Sequence, residues 1–209
     1  MAGAYAAVHA HPEGESTAAR LALTAAEYGY DGLAIRNHGN HPAEYDCEEI
    51  ADTYGIDVVT GVEVRAEDPG QATGFVGSHR DRATIVAVHG GNRRINEWAV
   101  TQPAIDVLAH PTAGDDGGVD DVLARTAADN GVRLELSLAP VLRAEGGTRV
   151  QAIRELGRLW TLIETYETPY VVSADPASHL AEWGRLAERN RGRRSERFVE
   201  PGVWRPEES

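Results

Sequence analysis

Short β-type runs and helix-type segments alternate seven times along the chain, and that rhythm limits its possible folds more than any other feature. The runs are "AYAAVHA" (Ala4–Ala10), "GLAIRN" (Gly32–Asn37), "DVVTGVEV" (Asp57–Val64) and "TIVAVHG" (Thr84–Gly90), followed by "AIDVLAH" (Ala104–His110), "VRLELSL" (Val132–Leu138) and "YVVSAD" (Tyr170–Asp175). Strand, helix, strand in repetition implies a parallel sheet with right-handed crossovers. Seven repeats with no obvious switch point favour a closed or nearly closed barrel over a doubly wound sheet. At 209 residues the chain is short for an eight-fold barrel of about 250. The expected fold is α/β: a distorted seven-stranded parallel (β/α) barrel, TIM-like but trimmed.

The helical segments carry signals of their own. After Ser16, a suitable N-cap, Ala18, Leu21, Ala22, Ala25 and Ala26 share one face. In the longest segment Val150, Ile153, Leu156, Leu159, Ile163 and Tyr166 do the same. "EDPGQATGFVGSHRDR" (Glu67–Arg82), with its Gly and Pro, reads as a connection rather than a helix. From Arg185 to Arg205 the chain changes character, with seven Arg against three Glu. We therefore place one barrel domain at 1–184 and an Arg-rich tail at 185–209.

Composition narrows the function classes. No run of about 18 apolar residues exists to span a membrane, and "MAGAYAAVHA" lacks the basic start and apolar core of a signal peptide, so the expected address is cytoplasmic. The single cysteine, Cys47, excludes an internal disulfide and a cysteine zinc cluster; its acidic surroundings would raise the thiol pKa, as for a structural residue. No G-x-S-x-G elbow occurs, and "HGGNRR" lacks phosphate-loop spacing. All 20 basic residues are Arg, against 33 Asp and Glu, for a formal net charge of -13. Such a balance suits a proteome working in molar salt, where the Debye length is about 3 Å. GC-rich codon usage is the competing explanation.

In a parallel barrel the working residues lie at the carboxyl ends of the strands. Here those ends supply His9 and His11, then Arg36, Asn37 and His38, then Glu63 and Arg65. The later strands supply His89, His110, Glu135 with Ser137, and Ser173 with Asp175. Imidazoles and carboxylates converging on one mouth suit a divalent metal such as zinc or manganese, able to activate water against a phosphodiester. The candidate metal set is His9, His11, His38, Glu63, His110 and Asp175. His41, His79 and His179 read as solvated. Guanidinium groups instead suit phosphate recognition. The candidate RNA contacts are Arg36, Arg65, Arg93, Arg94 and Arg149, with Arg191, Arg193 and Arg194 in the tail cluster "RNRGRRSER". The bland alternative is that Arg, as the only base in use, also serves in plain surface ion pairs.

The order H-x-H, "NH", "GVEV", "AHP" resembles the polymerase-and-histidinol-phosphatase (PHP) superfamily, whose enzymes hold metals on a seven-stranded barrel. Asn37 replaces the acidic residue of that family's "DH" element, Ser137 stands where a histidine would follow strand six, and Ala177 departs from the terminal D-x-H. A closer resemblance runs to about Leu180. It is carried by "AAEYGYDGLAIRNHG", "GVEVRAEDPG", "DVLAHPTAG", "NGVRLELSLAPVLRAEGGTRVQAIRELGRLW" and "TPYVVSADPASHL". These segments resemble the archaeal ribonuclease P protein component 3 family, itself a PHP-like barrel.

That resemblance implies a protein subunit of an RNA enzyme that removes the 5′ leader from precursor tRNA. The RNA carries the chemistry with Mg, and no cofactor is required by this chain. The implied partners are the ribonuclease P RNA, protein component 2 and the other protein subunits, with precursor tRNA as holoenzyme substrate and no membrane. The alternative is an independent metal-dependent phosphoesterase using Zn or Mn.

Overall fold

The computed structural model describes residues 5–114, 118–176, 178–180 and 183. The tail expected at 185–209, with Arg191, Arg193 and Arg194, lies outside the described residues, as does Ala177. Seven parallel strands pair in strict chain order: β1 (Tyr5–Val8), β2 (Gly32–Ile35), β3 (Asp57–Val64), β4 (Ile85–His89), β5 (Val107–Ala109), β6 (Arg133–Ser137) and β7 (Tyr170–Ser173). Between them lie α1 (Ala18–Glu27), α2 (Cys47–Tyr54), α3 (Pro69–His79), α4 (Arg93–Ala99), α5 (Asp121–Asn130), α6 (Ala139–Arg143) and α7 (Gly146–Tyr166). The result is the expected distorted, nearly closed TIM-like barrel. Each strand is two to four residues shorter than its apolar run except β3, which fills its run completely.

Strand alternation sorts the core into two layers. Outward-facing Val62, Val64, Val86, Val88, Leu108, Leu134 and Leu136 pack with Ile95, Leu123, Leu159 and Ile163 of the surrounding helices. Val8, Leu33, Ile35 and Val58 do the same with Leu21, Ala22 and Ile50 of α1 and α2. The other face is built from smaller residues, with Ala87, Val107 and Ala109 forming a separate cluster with Ile85 and Val171. Burial on both faces explains why the strands read as near-continuous apolar runs.

Three sequence expectations need correction. The Glu67–Arg82 stretch holds a helix, α3, not a plain connection. Asp68 caps it by accepting from the Gln71 N–H at 3.0 Å, and Pro69 sits in the first turn, where its missing N–H costs nothing. Ala72 and Val76, one turn apart, bury against the outer core and offset the glycines. At α1 the cap is Thr17, not Ser16. Ser16 is buried, and its Oγ accepts from the His179 N–H at 3.0 Å and lies 2.8 Å from His179 Nδ1. His179 is thus engaged rather than simply solvated. Along α7 the apolar face is real but only its second half is covered: Leu159 and Ile163 are buried, whereas Val150 and Ile153 are 48% and 50% exposed.

The barrel has a seam. Among the described residues β1 and β7 share no backbone pairing. Instead both line a small cavity with Tyr30, Pro176 and Trp183. Trp183 is buried, meets the Tyr30 ring edge-on at 5.7 Å, and donates its indole N–H to the Ser178 carbonyl at 2.9 Å. The chain after β7 therefore closes by side-chain packing what hydrogen bonds leave open.

Candidate functional site

The mouth at the carboxyl ends of the strands is organised around one carboxylate. Glu63, near the end of β3, is 0% exposed. Gly61 two residues earlier makes room beside it: a Cβ there would lie 3.0 Å from the Ile35 carbonyl and 3.1 Å from Arg36 Cβ. Arg36, directly after β2, is 3% exposed, with Nε 3.5 Å from Glu63 Oε2 and Nη2 2.6 Å from Glu135 Oε1 on β6. Burial alone would lower the pKa of this guanidinium, but Glu135, Glu63 and Asp175 outweigh burial and hold it charged. Burial would likewise raise the Glu63 pKa; Arg36 first, then bonds from His38, His89 and His9, push it well below the carboxylate range.

Four imidazoles surround Glu63. His89 Nδ1 lies 2.5 Å from Oε1, His38 Nε2 3.3 Å and His110 Nε2 3.9 Å, while His9 Nε2 lies 3.4 Å from Oε2. Their rings pack in sequence: His9 against His38, His38 against His89, His89 against His110, with centroids 5.2, 5.6 and 4.9 Å apart. Glu13 closes the far side. Its Oε1 pairs with His38 Nδ1 and its Oε2 accepts from the His38 backbone N–H at 2.8 Å. Burial would raise the Glu13 pKa, but the His38 bonds lower it.

Across the seam His9 Nδ1 meets Asp175 Oδ1 at 3.2 Å. Burial would lower the His9 pKa, yet its bonds to Asp175 and Glu63 raise it to about 9. Asp175 is held at about 2, because the His9 bond and Arg36 overcome its desolvation. Arg143 of α6 donates to the Asp175 carbonyl at the rim. His110 and Asp175 both adopt left-handed backbone, with φ of 47° and 45°. Non-glycine residues rarely hold that conformation unless their surroundings impose it.

The structure sorts the candidates. His9, His38, Glu63, His110 and Asp175 come together; His11 does not. β1 ends at Val8, so strand alternation no longer governs His11, and it turns outward exposed while its backbone N–H donates to the Ser16 carbonyl. Arg36 is also corrected. It is a buried counter-ion of Glu63 and Glu135, with no surface to offer an RNA phosphate. Arg93 is exposed but paired with Glu97 and Asp120 at 2.7 and 2.8 Å. Arg65, Arg94 and Arg149 are exposed, and Arg65 Nη2 lies 3.4 Å from both ring nitrogens of His89. Asn37, where the PHP pattern has an acid, is buried as a brace. Its Nδ2 donates to the carbonyls of Ala10 and His41 at 2.6 and 3.0 Å, and its Oδ1 accepts from the Ala10 N–H at 2.8 Å. His89 and Glu135 stood at strand ends but outside the candidate metal set. Glu13 was missed altogether, and its only sequence signal was a carboxylate in the loop after H-x-H.

The residues fit a divalent cation. His9 with Glu13 and His38, and His38 with Glu63 and His89, each place three N/O donors within 4.8 Å of one another. Imidazole and carboxylate donors suit zinc-class ions, which bound there would act as Lewis acids. Arg36, however, already occupies the space between Glu63 and Glu135.

Fold and mouth together define a distorted, nearly closed TIM-like barrel with a polar mouth at the carboxyl ends of its strands. A histidinol phosphate phosphatase of Lactococcus lactis, solved with zinc, L-histidinol and phosphate, superposes with a TM-score of 0.57 at 10% identity, covering 90% of this chain and 93% of that one. A chain of archaeal ribonuclease P, solved by cryo-EM with mature tRNA, superposes with a TM-score of 0.70 at 23% identity, covering 84% and 75%. At these identities the likeness is one of fold. Sequence is more specific. The family described as RNase P subunit p30 matches residues 4–185. Ribonuclease P protein component 3 of Haloarcula marismortui is 52% identical over 95% of both chains, and that of Natronomonas pharaonis 48% identical over 95% and 94%. The chain belongs to the RNase P p30 family.

Proposed function

We propose that this chain is a protein subunit of ribonuclease P that assists the catalytic RNA in removing the 5′ leader from precursor tRNA, and that it is not itself the catalyst. Family membership carries the first half of this reading. Arg36 carries the second. Its guanidinium sits against Glu63, the buried carboxylate of the His38–Glu63–His89 donor group, and sets a fixed positive charge beside any pair of water-activating metals there. The independent phosphoesterase is accordingly the weaker reading. The haloarchaeal relatives fit the lysine-free, acidic composition. In molar salt nonspecific phosphate attraction is largely lost, so docking would rest on local arginines and on a protein partner of the component 2 type. Arg65, Arg94 and Arg149, exposed on the strand-end side of the barrel, are the described residues best placed to face RNA. The address proposed is the cytoplasm, with Mg serving the RNA.

The test is reconstitution in high salt of the RNA with its other protein subunits, with and without this chain. Precursor-tRNA cleavage is expected to reach full rate at lower magnesium when the chain is present. Identical magnesium profiles would sink the reading.

A further inference from the structure

α7 carries apolar residues on two opposite sides, and the barrel covers only one of them. Val150, Ile153, Leu156 and Leu159 recur every third residue. In a helix of 3.6 residues per turn each such step falls about 60° short of a full turn, so Val150 lies about 180° round the axis from Leu159. The barrel takes the Leu159 side: Leu159 and Ile163 are the buried residues of α7 and belong to the outer core. Val150 and Ile153 stand on the other side, 48% and 50% exposed. Arg154, Gly157 and Arg158 complete their face at spacings of three and four residues, and all three are exposed. A Cβ on Gly157 would meet nothing within 4 Å, so the face is open there.

Its chemistry differs from the rest of the surface. The chain has 33 Asp and Glu against 20 Arg, yet Gly146–Leu159 holds three Arg and one Glu. That residue, Glu155, is engaged: its Oε1 accepts from Gln151 Nε2 at 2.8 Å. Among the described residues no carboxylate lies within ion-pair distance of Arg154 or Arg158. Two branched aliphatic side chains edged by two unpaired guanidinium groups make the centre and the rim of a protein contact. RNA would gain little from that centre, because Val150 and Ile153 offer no ring on which a base can stack. Molar salt screens attraction between arginine and phosphate but leaves apolar burial in force. A two-fold contact between copies of this chain would bring four guanidinium groups and no carboxylate to one patch.

We propose that the outward side of α7, centred on Val150 and Ile153, is the docking face for another protein subunit of the assembly, one that presents an apolar patch edged with Asp and Glu. Val150 and Ile153 are its anchors, and Arg154 and Arg158 pair with the partner's carboxylates and set the register. An acidic partner is repelled by most of a chain of charge -13 and meets opposite charge here. This inference rests on the reading of the chain as a ribonuclease P subunit and adds the surface by which it is held.

The test titrates the full chain calorimetrically with each of the other ribonuclease P protein subunits, purified singly, in molar KCl. One of them is expected to bind. Val150→Ser combined with Ile153→Ser should weaken that binding at least about tenfold, at every salt concentration. Arg154→Glu combined with Arg158→Glu should weaken it by a smaller factor that shrinks as salt rises. Circular dichroism checks that both variants are folded, and binding of the ribonuclease P RNA by the chain alone should be unchanged in the serine pair. The proposal is overturned if no subunit binds the parent chain, or if every subunit binds the serine pair as tightly as the parent. A loss confined to RNA binding, or to self-association followed by sedimentation, overturns it as well. The magnesium profile of the reconstituted enzyme separates the two readings. A chain that promotes cleavage while its subunit binding ignores the serine pair keeps the subunit reading and loses this face.

Discussion

At the rim of the seam, His9 and Asp175 meet across two strands that no backbone hydrogen bond joins, and their titration has a readable sign. The folded His9 pKa, about 9, stands above its ordinary 6.5. Its contribution to stability is therefore fully present below about pH 6.5 and lost as pH rises through about 9; the rise corresponds to about 3 kcal/mol. Asp175 behaves oppositely. Held at about 2 against an ordinary 3.8, it contributes above about pH 4 and its contribution is lost as pH falls through 2. Urea denaturation in chelator across pH 5 to 10 checks this. His9→Gln should be less stable than the parent at pH 6 and converge with it above pH 9. Parallel curves across the whole range would show that the pair contributes nothing. Sequence placed both residues at strand ends, which is why they were legible. It could not show that Arg36 turns inward, because that depends on Gly61 leaving room and on carboxylates arriving from β3 and β6. It also could not show that His11 leaves the mouth, since an H-x-H looks alike whether the strand continues or stops.

Among the elements, β-strands were legible and α3 was not, for one physical reason. Strand identity follows from runs of apolar residues buried on both faces, which survive in sequence as continuous blocks. α3 has Gly70, Gly74 and Gly77 inside it and only Ala72 and Val76 buried, so its propensity is poor and its periodicity thin. Its two ends are specified by the Asp68–Pro69 start and by packing. Such a helix should be sensitive to its cap. Asp68→Ala is expected to cost about 1 kcal/mol by removing the acceptor for the Gln71 N–H. Gly74→Ala should act in the other direction, by about 0.5–1 kcal/mol, because a Cβ there meets nothing within 4 Å. Opposite shifts in thermal melting confirm that the helix is intrinsically weak and held by its start. Equal or same-signed shifts would mean that packing of Ala72 and Val76 alone determines it.

For the molecule as a whole, the question is how a chain of formal charge -13 engages RNA at all. The buried mouth has no phosphate-binding capacity to spare, since its guanidinium is consumed by Glu63 and Glu135. Phosphate contacts must come from exposed arginines that the acidic surface has not already paired. Of the arginines near the strand ends, Arg93 is held by Glu97 and Asp120, whereas Arg65 after β3, Arg94 in α4 and Arg149 in the first turn of α7 are exposed. All three follow strand ends, so they border the same end of the barrel. If they bind phosphates, each removal lowers the slope of log affinity against log salt by about 0.7–0.9. The triple variant Arg65→Ala, Arg94→Ala, Arg149→Ala should therefore join the reconstituted RNA assembly more weakly, with a slope shallower by about 2, while its melting temperature stays near the parent's because the side chains are exposed. A triple variant with unchanged affinity and slope would move the RNA-facing surface away from the mouth and onto other arginines of the chain.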